Sequence, residues 1–242
     1  MWKNKEEWPI RRPNLSQEGL KIIACISMLL DHVGAILLPQ VYWLRVVGRL
    51  AFPIYCYLLA EGAYRTKNPV KYGLRLGIGA VISEFPLDYI CYGALFWQDQ
   101  NVMFSLLLGF LMAICMIKCR HWALQLLAVI PFAYGAELLC VEYGVLGIVL
   151  MAMFVLTKNM PKKWLIQTLW LAAISWLMDD TVLPIFGVEM RVQMFAVAAM
   201  LPIGLYTGRK LTHNKWVQWG FYLFYPVHLV VLYLILLYIW YC

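Results

Sequence analysis

The chain has 242 residues, of which 63% are hydrophobic and only 14% are charged, and its net charge is +7. A soluble globular domain is about half apolar and about one-quarter charged, so this composition excludes an ordinary soluble protein. The apolar excess must face lipid, and the positive charge then concerns membrane topology and lipid headgroups. We therefore predict an all-α, polytopic integral membrane bundle. No basic patch with interleaved aromatic residues indicates nucleic-acid binding.

Residues 1–19 form a polar segment that is predicted to be cytoplasmic, and residues 20–242 are predicted to form a single transmembrane domain. The first apolar stretch is too long for the hydrophobic region of a signal peptide and has no small-residue cleavage site, so we expect the protein to keep it. The seven cysteines lie scattered through apolar segments, without a spacing that suits zinc, so no metal is expected.

Nine apolar stretches each come close to the roughly 20 residues that cross a bilayer. A cytoplasmic N-terminus places 17 of the 20 lysines and arginines on the inner side, as the positive-inside rule requires. The sequence therefore predicts about nine transmembrane helices with the N-terminus inside. These spans cover residues 20–38, 44–64, 72–95, 102–118, 121–137, 144–158, 163–178, 191–207 and 222–241.

The first predicted span carries two adjacent ionisable residues, Asp31 and His32, in its outer half. Ionisable residues inside a membrane are costly and by default indicate a functional site. Lys21 precedes His32 by about three helical turns, so these two side chains share a face roughly 16 Å apart. Histidine titrates near neutral pH, which makes His32 the predicted base. Asp31 points about 100° away from His32, so its partner is expected on another helix.

Charged residues of the second and third predicted spans are expected at the depth of His32. Arg49 lies about as far below the outer boundary as His32, and Arg45 lies one turn above it on the same face. These arginines are predicted to bind an anion or to stabilise an oxyanion. Glu84 and Asp88 share a face of the third span, and one of them is predicted to orient the imidazole. The alternative is that these charges pair across helices and only hold the bundle together.

Several other polar residues have two possible interpretations, one structural and one functional. Lys21 lies where a lysine commonly anchors a helix end, although it could also bind a ligand. Glu61 lies in the inner half of the second span, and Tyr225 and His228 share a face of the last span, where a structural histidine is an alternative. A basic cluster after the second span could bind phosphates or serve as a topological anchor. That cluster consists of Arg65, Lys67, Lys71 and Arg75.

Several motifs resemble the TraX family. They are DHxG in LKIIACISMLLDHVGAILLP, GRxxFPxxxxLxxEG in LRVVGRLAFPIYCYLLAEG, SExPxD in LRLGIGAVISEFPLD, and the closing FYLFYPVHLVVLYLI. The resemblance covers most of the chain and is densest from Leu20 to Asp88. TraX proteins are named for acetylating the N-terminus of conjugative pilin. They are distantly similar to membrane acyltransferases that O-acetylate surface polysaccharides, whose first helix has a basic residue, ten further residues and a histidine, a pattern that Lys21 and His32 match.

This resemblance implies an acyltransferase-like domain in the bacterial inner membrane, with acetyl-CoA as the acyl donor. It implies that His32 acts as a base or briefly carries the acetyl group itself. The acceptor, reached at or beyond the membrane, would be a hydroxyl or amine of a pilin, an envelope glycan, a lipid-linked sugar or a small molecule. We expect His32, Asp31, Glu84 and Arg49 to be catalytic, Lys21, Arg45, Lys71 and Arg75 to bind acetyl-CoA, and Asp88, Glu61, Tyr225 and His228 to bind substrate.

Two functions of other classes stay open. A proton-coupled transporter or flippase could use the same intramembrane polar residues, but it would be expected to contain inverted repeats, and no repeat is visible in the sequence. A non-catalytic scaffold of a surface-assembly system would tolerate single alanine substitutions among these residues.

Overall fold

The computed structural model describes residues 15–178, 182–185, 188–212 and 214–241, so most of the predicted N-terminal segment lies outside the described residues. Within these ranges the chain is almost entirely helical. The α-helices are α1 (Gln17–Ile36), α2 (Tyr42–Gly48), α3 (Ala51–Arg65), α4 (Pro69–Tyr92), α5 (Val102–Lys118), α6 (Trp122–Leu138), α7 (Gly144–Leu156), α8 (Lys163–Met178), α9 (Met200–Leu205) and α10 (Lys215–Tyr241). Between α8 and α9 lie strands β1 (Val182–Ile185) and β2 (Val188–Arg191) and a 3-10 helix (Val192–Ala199).

Polar side chains fix several helix ends. The hydroxyl of Ser16 accepts a hydrogen bond from the Gly19 amide at the start of α1, and Asn68 and Asn101 cap α4 and α5 in the same way. Helix α4 ends at Gly93, whose φ of 69° is the left-handed conformation that glycine adopts at low cost. These caps set where each helix enters and leaves the bundle.

The core is centred on α3, α5 and α7, which carry most of the buried apolar side chains. Phe110 of α5 and Ile148 of α7 are fully buried, and Phe52 of α3 stacks on Tyr143 with ring centroids 3.7 Å apart. Helix α1 packs on α2, α3 and α10, and α10 also packs on α4. The first and last long helices are therefore neighbours on one side of this core.

Three segments of the described chain are long and apolar enough to cross a membrane, namely 17–36, 42–65 and 216–241. Four further apolar helices are shorter, at 102–118, 122–138, 144–156 and 192–205. The chain is therefore a helical membrane protein. The count of nine spans and the placement as a multi-pass protein of the inner membrane stay predictions.

The predicted second span is interrupted in the structure. Helix α2 ends at Gly48, α3 begins at Ala51, and Arg49 and Leu50 form a turn between them. Pro53 explains the break, because proline has no amide hydrogen to donate to the carbonyl four residues earlier, which is that of Arg49. The break lies at the depth predicted for His32 and Arg49.

The predicted eighth span also differs from a regular helix. The antiparallel hairpin of β1 and β2 precedes it, with Val182 opposite Arg191 in the register. Apart from these two short strands the described chain is helical, which confirms the all-α prediction. The span itself is the 3-10 helix followed by α9. A 3-10 helix rises about 2.0 Å per residue against about 1.5 Å for an α-helix, so this short segment extends about 25 Å.

Candidate functional site

Two histidines from opposite ends of the chain meet between α1 and α10. The Nδ1 atom of His32 lies 2.9 Å from Nε2 of His228, across a separation of 196 residues. The Nδ1 atom of His228 lies 2.7 Å from the carbonyl oxygen of Phe224, one turn earlier in α10. These contacts form a chain from a backbone carbonyl through His228 to His32.

This chain of contacts assigns the proton positions of a neutral pair. The Phe224 carbonyl can only accept, so Nδ1 of His228 carries a hydrogen and its Nε2 is an acceptor. The Nδ1 atom of His32 must then donate to that Nε2. A neutral His32 therefore has no hydrogen on its own Nε2, and an imidazole in this state can accept a proton.

His32 lines a cavity of about 120 Å³, called here the histidine cavity. One water molecule needs roughly 10–15 Å³ by this measure, so there is room for several waters or for a slender acyl group. The wall is mostly apolar and carries the aromatic residues Tyr55, Tyr143 and Tyr225. The Tyr225 hydroxyl is buried and has no hydrogen-bond partner in the described part of the chain, and its ring centroid is 5.9 Å from that of His32. His32 and Tyr225 thus offer a base and a hydrogen-bond donor to the same space.

A second cavity of about 300 Å³, called here the basic cavity, adjoins the first on the predicted cytoplasmic side. Lys21, Tyr72 and Tyr222 line both cavities, and the rings of the two tyrosines lie 6.3 Å apart. These three side chains therefore form the boundary between the two spaces. The cations that line the basic cavity are Lys21, Arg65, Lys71, Arg75 and Lys210, and its carboxylates are Glu18 and Glu61.

Asp31 lies against two arginines near the opposite end of the histidine cavity. Its carboxylate is 2.7 Å from Nη1 of Arg45 and 3.5 Å from Nη2 of Arg49, so its partners lie beyond its own helix, as its direction on α1 predicts. Gly48 makes this approach possible, because a Cβ atom there would overlap the Asp31 side chain. The arginines predicted to bind an anion already have a carboxylate of the protein between them.

The predicted acetyl-CoA-binding residues divide into two places. Lys21, Lys71 and Arg75 line the basic cavity, whereas Arg45 does not line it and pairs with Asp31. The structure therefore does not bring Arg45 together with the other three residues, and the binding of acetyl-CoA by these residues stays a prediction. The charge of an arginine does not determine the end of a bundle at which it finds its partner.

The two carboxylates of α4 bind backbone and amide groups instead of His32. Glu84 accepts from both the side chain and the amide nitrogen of Asn101, and Asp88 accepts from the Phe96 amide at 2.9 Å. Both carboxylates thus hold the connection between α4 and α5. The structure does not bring either carboxylate into a hydrogen bond with His32, whose imidazole instead contacts that of His228. A role for Glu84 or Asp88 in orienting His32 stays a prediction.

Glu61 was predicted to bind substrate, and the structure shows it in an ion-pair cluster. Its carboxylate lies 2.9 Å from Arg65 and 3.5 Å from Lys158. Glu142, which is not among the predicted site residues, has its side chain in the lining of the histidine cavity. It follows α6 in a short connection without helical periodicity, so the sequence contains no signal for this placement. In the described ranges, no three His, Cys, Asp or Glu side chains come together as a metal site requires.

Comparison with known proteins assigns the family. A family model described as TraX protein matches residues 16–236. The chain is 29% identical to the probable fimbrial assembly protein FimC, serogroup H1, of Dichelobacter nodosus, over 92% of this chain and 96% of that protein. It is 34% identical to an uncharacterized protein of Rickettsia prowazekii (strain Madrid E) over 27% of each chain. No solved structure matches. The resemblance seen in the sequence motifs is confirmed: this chain belongs to the TraX family.

Proposed function

We propose that this protein is a membrane-embedded acyltransferase that moves an acetyl group from cytoplasmic acetyl-CoA to a hydroxyl or amine acceptor during assembly of a surface fibre. The observation that carries the proposal is the pair of adjoining cavities, one basic and one containing a histidine with an unprotonated Nε2. The surface fibre is part of this proposal because the chain is similar to a probable fimbrial assembly protein.

The basic cavity fits the polyanionic part of acetyl-CoA. Phosphates bind preferentially where several lysines and arginines converge, and five cations line this cavity against two carboxylates. Glu61 is already paired with Arg65 and Lys158, which leaves four of the five lining cations, Lys21, Lys71, Arg75 and Lys210, as the proposed phosphate-binding residues. The thioester end would pass Tyr72 and Tyr222 to enter the histidine cavity.

The proposed chemical step uses the free nitrogen of His32. Nε2 takes the proton of the acceptor hydroxyl or amine as the acceptor atom bonds to the carbonyl carbon of the thioester. His32 then returns that proton to the sulfur as the carbon–sulfur bond breaks, which yields the acetylated acceptor and free CoA. The Tyr225 hydroxyl supplies a hydrogen bond to the carbonyl oxygen, where negative charge develops.

Donor binding tests this proposal directly. Acetyl-CoA is expected to raise the melting temperature of the purified protein, and dephospho-CoA is expected to raise it less, because it lacks one phosphate. Lys71→Gln and Arg75→Gln are each expected to weaken acetyl-CoA binding by about 5- to 10-fold, the effect of losing one phosphate contact worth about 1 kcal/mol.

The matched control is Arg120→Gln, because Arg120 is exposed after α5 and does not line the basic cavity. Equal loss of affinity in this control would point to a general charge effect. A protein that no CoA derivative stabilises would favour the transporter or flippase alternative, which requires no site for the 3′-phosphate.

His228 offers a test of the proton assignment. Leucine at position 228 is expected to lower acetyl transfer by about 10- to 100-fold, because Nδ1 of His32 loses its acceptor and the imidazole is no longer held in one tautomer. Glutamine at 228 keeps an acceptor oxygen and should retain more of the rate. The measurement is CoA thiol release with acetyl-CoA saturating. Equal rates for the two variants would contradict the assignment.

A further inference from the structure

A carboxylate outside the reaction described above also faces the histidine cavity. Glu142 lies in the connection between α6 and α7, and its side chain is part of the cavity wall together with those of His32 and Tyr143. The residue is exposed and its side chain borders the cavity, so a ligand in the cavity can reach it.

The backbone of Glu142 is held firmly while its side chain is left available. The Glu142 amide donates to the Gln100 carbonyl oxygen at 2.9 Å, and its own carbonyl oxygen accepts from the Ser105 hydroxyl. No hydrogen bond or ion pair of the Glu142 carboxylate is found in the described part of the chain. An accessible carboxylate that no protein group engages is available to a ligand in the cavity.

Several charged and titratable groups interact electrostatically with the Glu142 carboxyl. Protein atoms packed around the Glu142 carboxyl and the nearby Asp31 carboxylate raise its pKa, against the opposing effect of Arg49. The charged and titratable groups that act on it are Asp31 of α1, Arg45 of α2, Arg49 after α2, Cys91 of α4, Asp99 before α5, Tyr143 and Tyr225.

We propose that Glu142 is the acceptor-side catalytic residue, whose carboxylate accepts a hydrogen bond from the attacking O–H or N–H and aims that atom at the thioester carbonyl. This inference rests on the proposed acyl transfer. His32 still receives the transferred proton, so Glu142 adds orientation without changing the balance of the reaction. Asp31 and Glu142 lie near each other, so the acceptor enters at the end of the cavity that is remote from the basic cavity.

The test uses the full protein in phosphatidylethanolamine–phosphatidylglycerol vesicles, with hydroxylamine as the acceptor because it carries both N–H and O–H groups. Glu142→Gln is expected to lower kcat/KM for hydroxylamine by about 10- to 100-fold, while KM for acetyl-CoA stays within about twofold. The matched control is Glu189→Gln, the same change at an exposed residue of β2 on the predicted outer side. Unchanged acceptor kcat/KM in Glu142→Gln, beside active wild-type protein, would overturn the role of Glu142 alone.

A second variant tests whether the carboxylate itself is needed. Glu142→Asp keeps a carboxylate and should retain more of kcat/KM for hydroxylamine than Glu142→Gln. Equal losses in the two variants would overturn the proposal. Wild-type protein that releases no thiol from acetyl-CoA would overturn the proposed function together with this inference, so the two failures are distinguishable.

Discussion

Replacing His32 with glutamine is expected to lower acetyl transfer by about 10²- to 10⁴-fold, the range that removal of a general base produces. Glutamine preserves much of the side-chain volume and can still hydrogen-bond His228, but it cannot accept the proton of the acceptor. The dissociation constant for acetyl-CoA should stay within about twofold, because the proposed phosphate site is the basic cavity, which His32 does not line. Thiol release and acceptor labelling from radioactive acetyl-CoA measure the rate.

The matched control is His121→Asn. His121 caps α6 from an exposed position, and asparagine keeps that capping function. This variant should transfer acetyl at the wild-type rate, which separates the loss of a particular imidazole from a general effect of removing histidine. A His32→Gln protein that keeps the wild-type rate would remove the central residue of the proposed mechanism.

Removing the Asp31 carboxylate is expected to have the largest effect on stability. Asp31→Ala leaves Arg45 and Arg49 close together without the anion between them, and the loss of one partner from a buried ion pair costs about 3–5 kcal/mol. Asp31 and Arg45 are partly exposed, whereas Arg49 is buried, so we expect about 2–3 kcal/mol, or a decrease in melting temperature of roughly 5–10 °C in detergent. Light scattering or intrinsic fluorescence on heating would measure it.

A double variant separates charge from packing. Asp31→Ala with Arg45→Gln removes one of the two arginines and should recover part of the lost melting temperature, because residues in contact are energetically coupled. Arg45→Gln alone should cost less than Asp31→Ala alone, since Arg49 then still has its carboxylate. A melting temperature unchanged by Asp31→Ala would show that these charges contribute nothing to holding α1 and α2 together.

Helical geometry made part of the site predictable. Lys21 and His32 share a face because a helix repeats at a known angle, and the structure places both along the wall of one cavity. The same angle directed Asp31 away from His32, toward the arginines that it contacts. Spacing within one helix is sufficient for such inferences, since every atom involved belongs to the same rigid element.

Helical spacing does not predict which helices lie side by side in the bundle. Depth placed Glu84 and Arg49 level with His32, but level residues can lie on different sides of a bundle. The contact between His32 and His228 depends on α1 and α10 being neighbours, and no periodicity in the sequence specifies which helices pack together. Glu142 was missed for a related reason, because a connection has no repeating angle from which to infer a direction.

Backbone irregularity explains the remaining differences in the fold. Apolar stretches of suitable length predict continuous membrane-spanning helices. Pro53 nevertheless indicates a break in the helix, which the structure has as the turn at Arg49 and Leu50. The 3-10 helix Val192–Ala199 has no comparable marker, because its residues are as apolar as those of an ordinary span. Composition identifies that a segment is membrane-compatible, but it does not identify how tightly the segment is wound.

The distance along the chain between His32 and His228 has a consequence for biosynthesis. Helix α1 is made long before α10, so the bond between the two imidazoles can form only after α10 has been translated and inserted. A nascent chain that lacks α10 would expose His32 without its imidazole partner. Premature termination before α10 should therefore abolish the proposed acetyl transfer, even where the preceding helices have already folded.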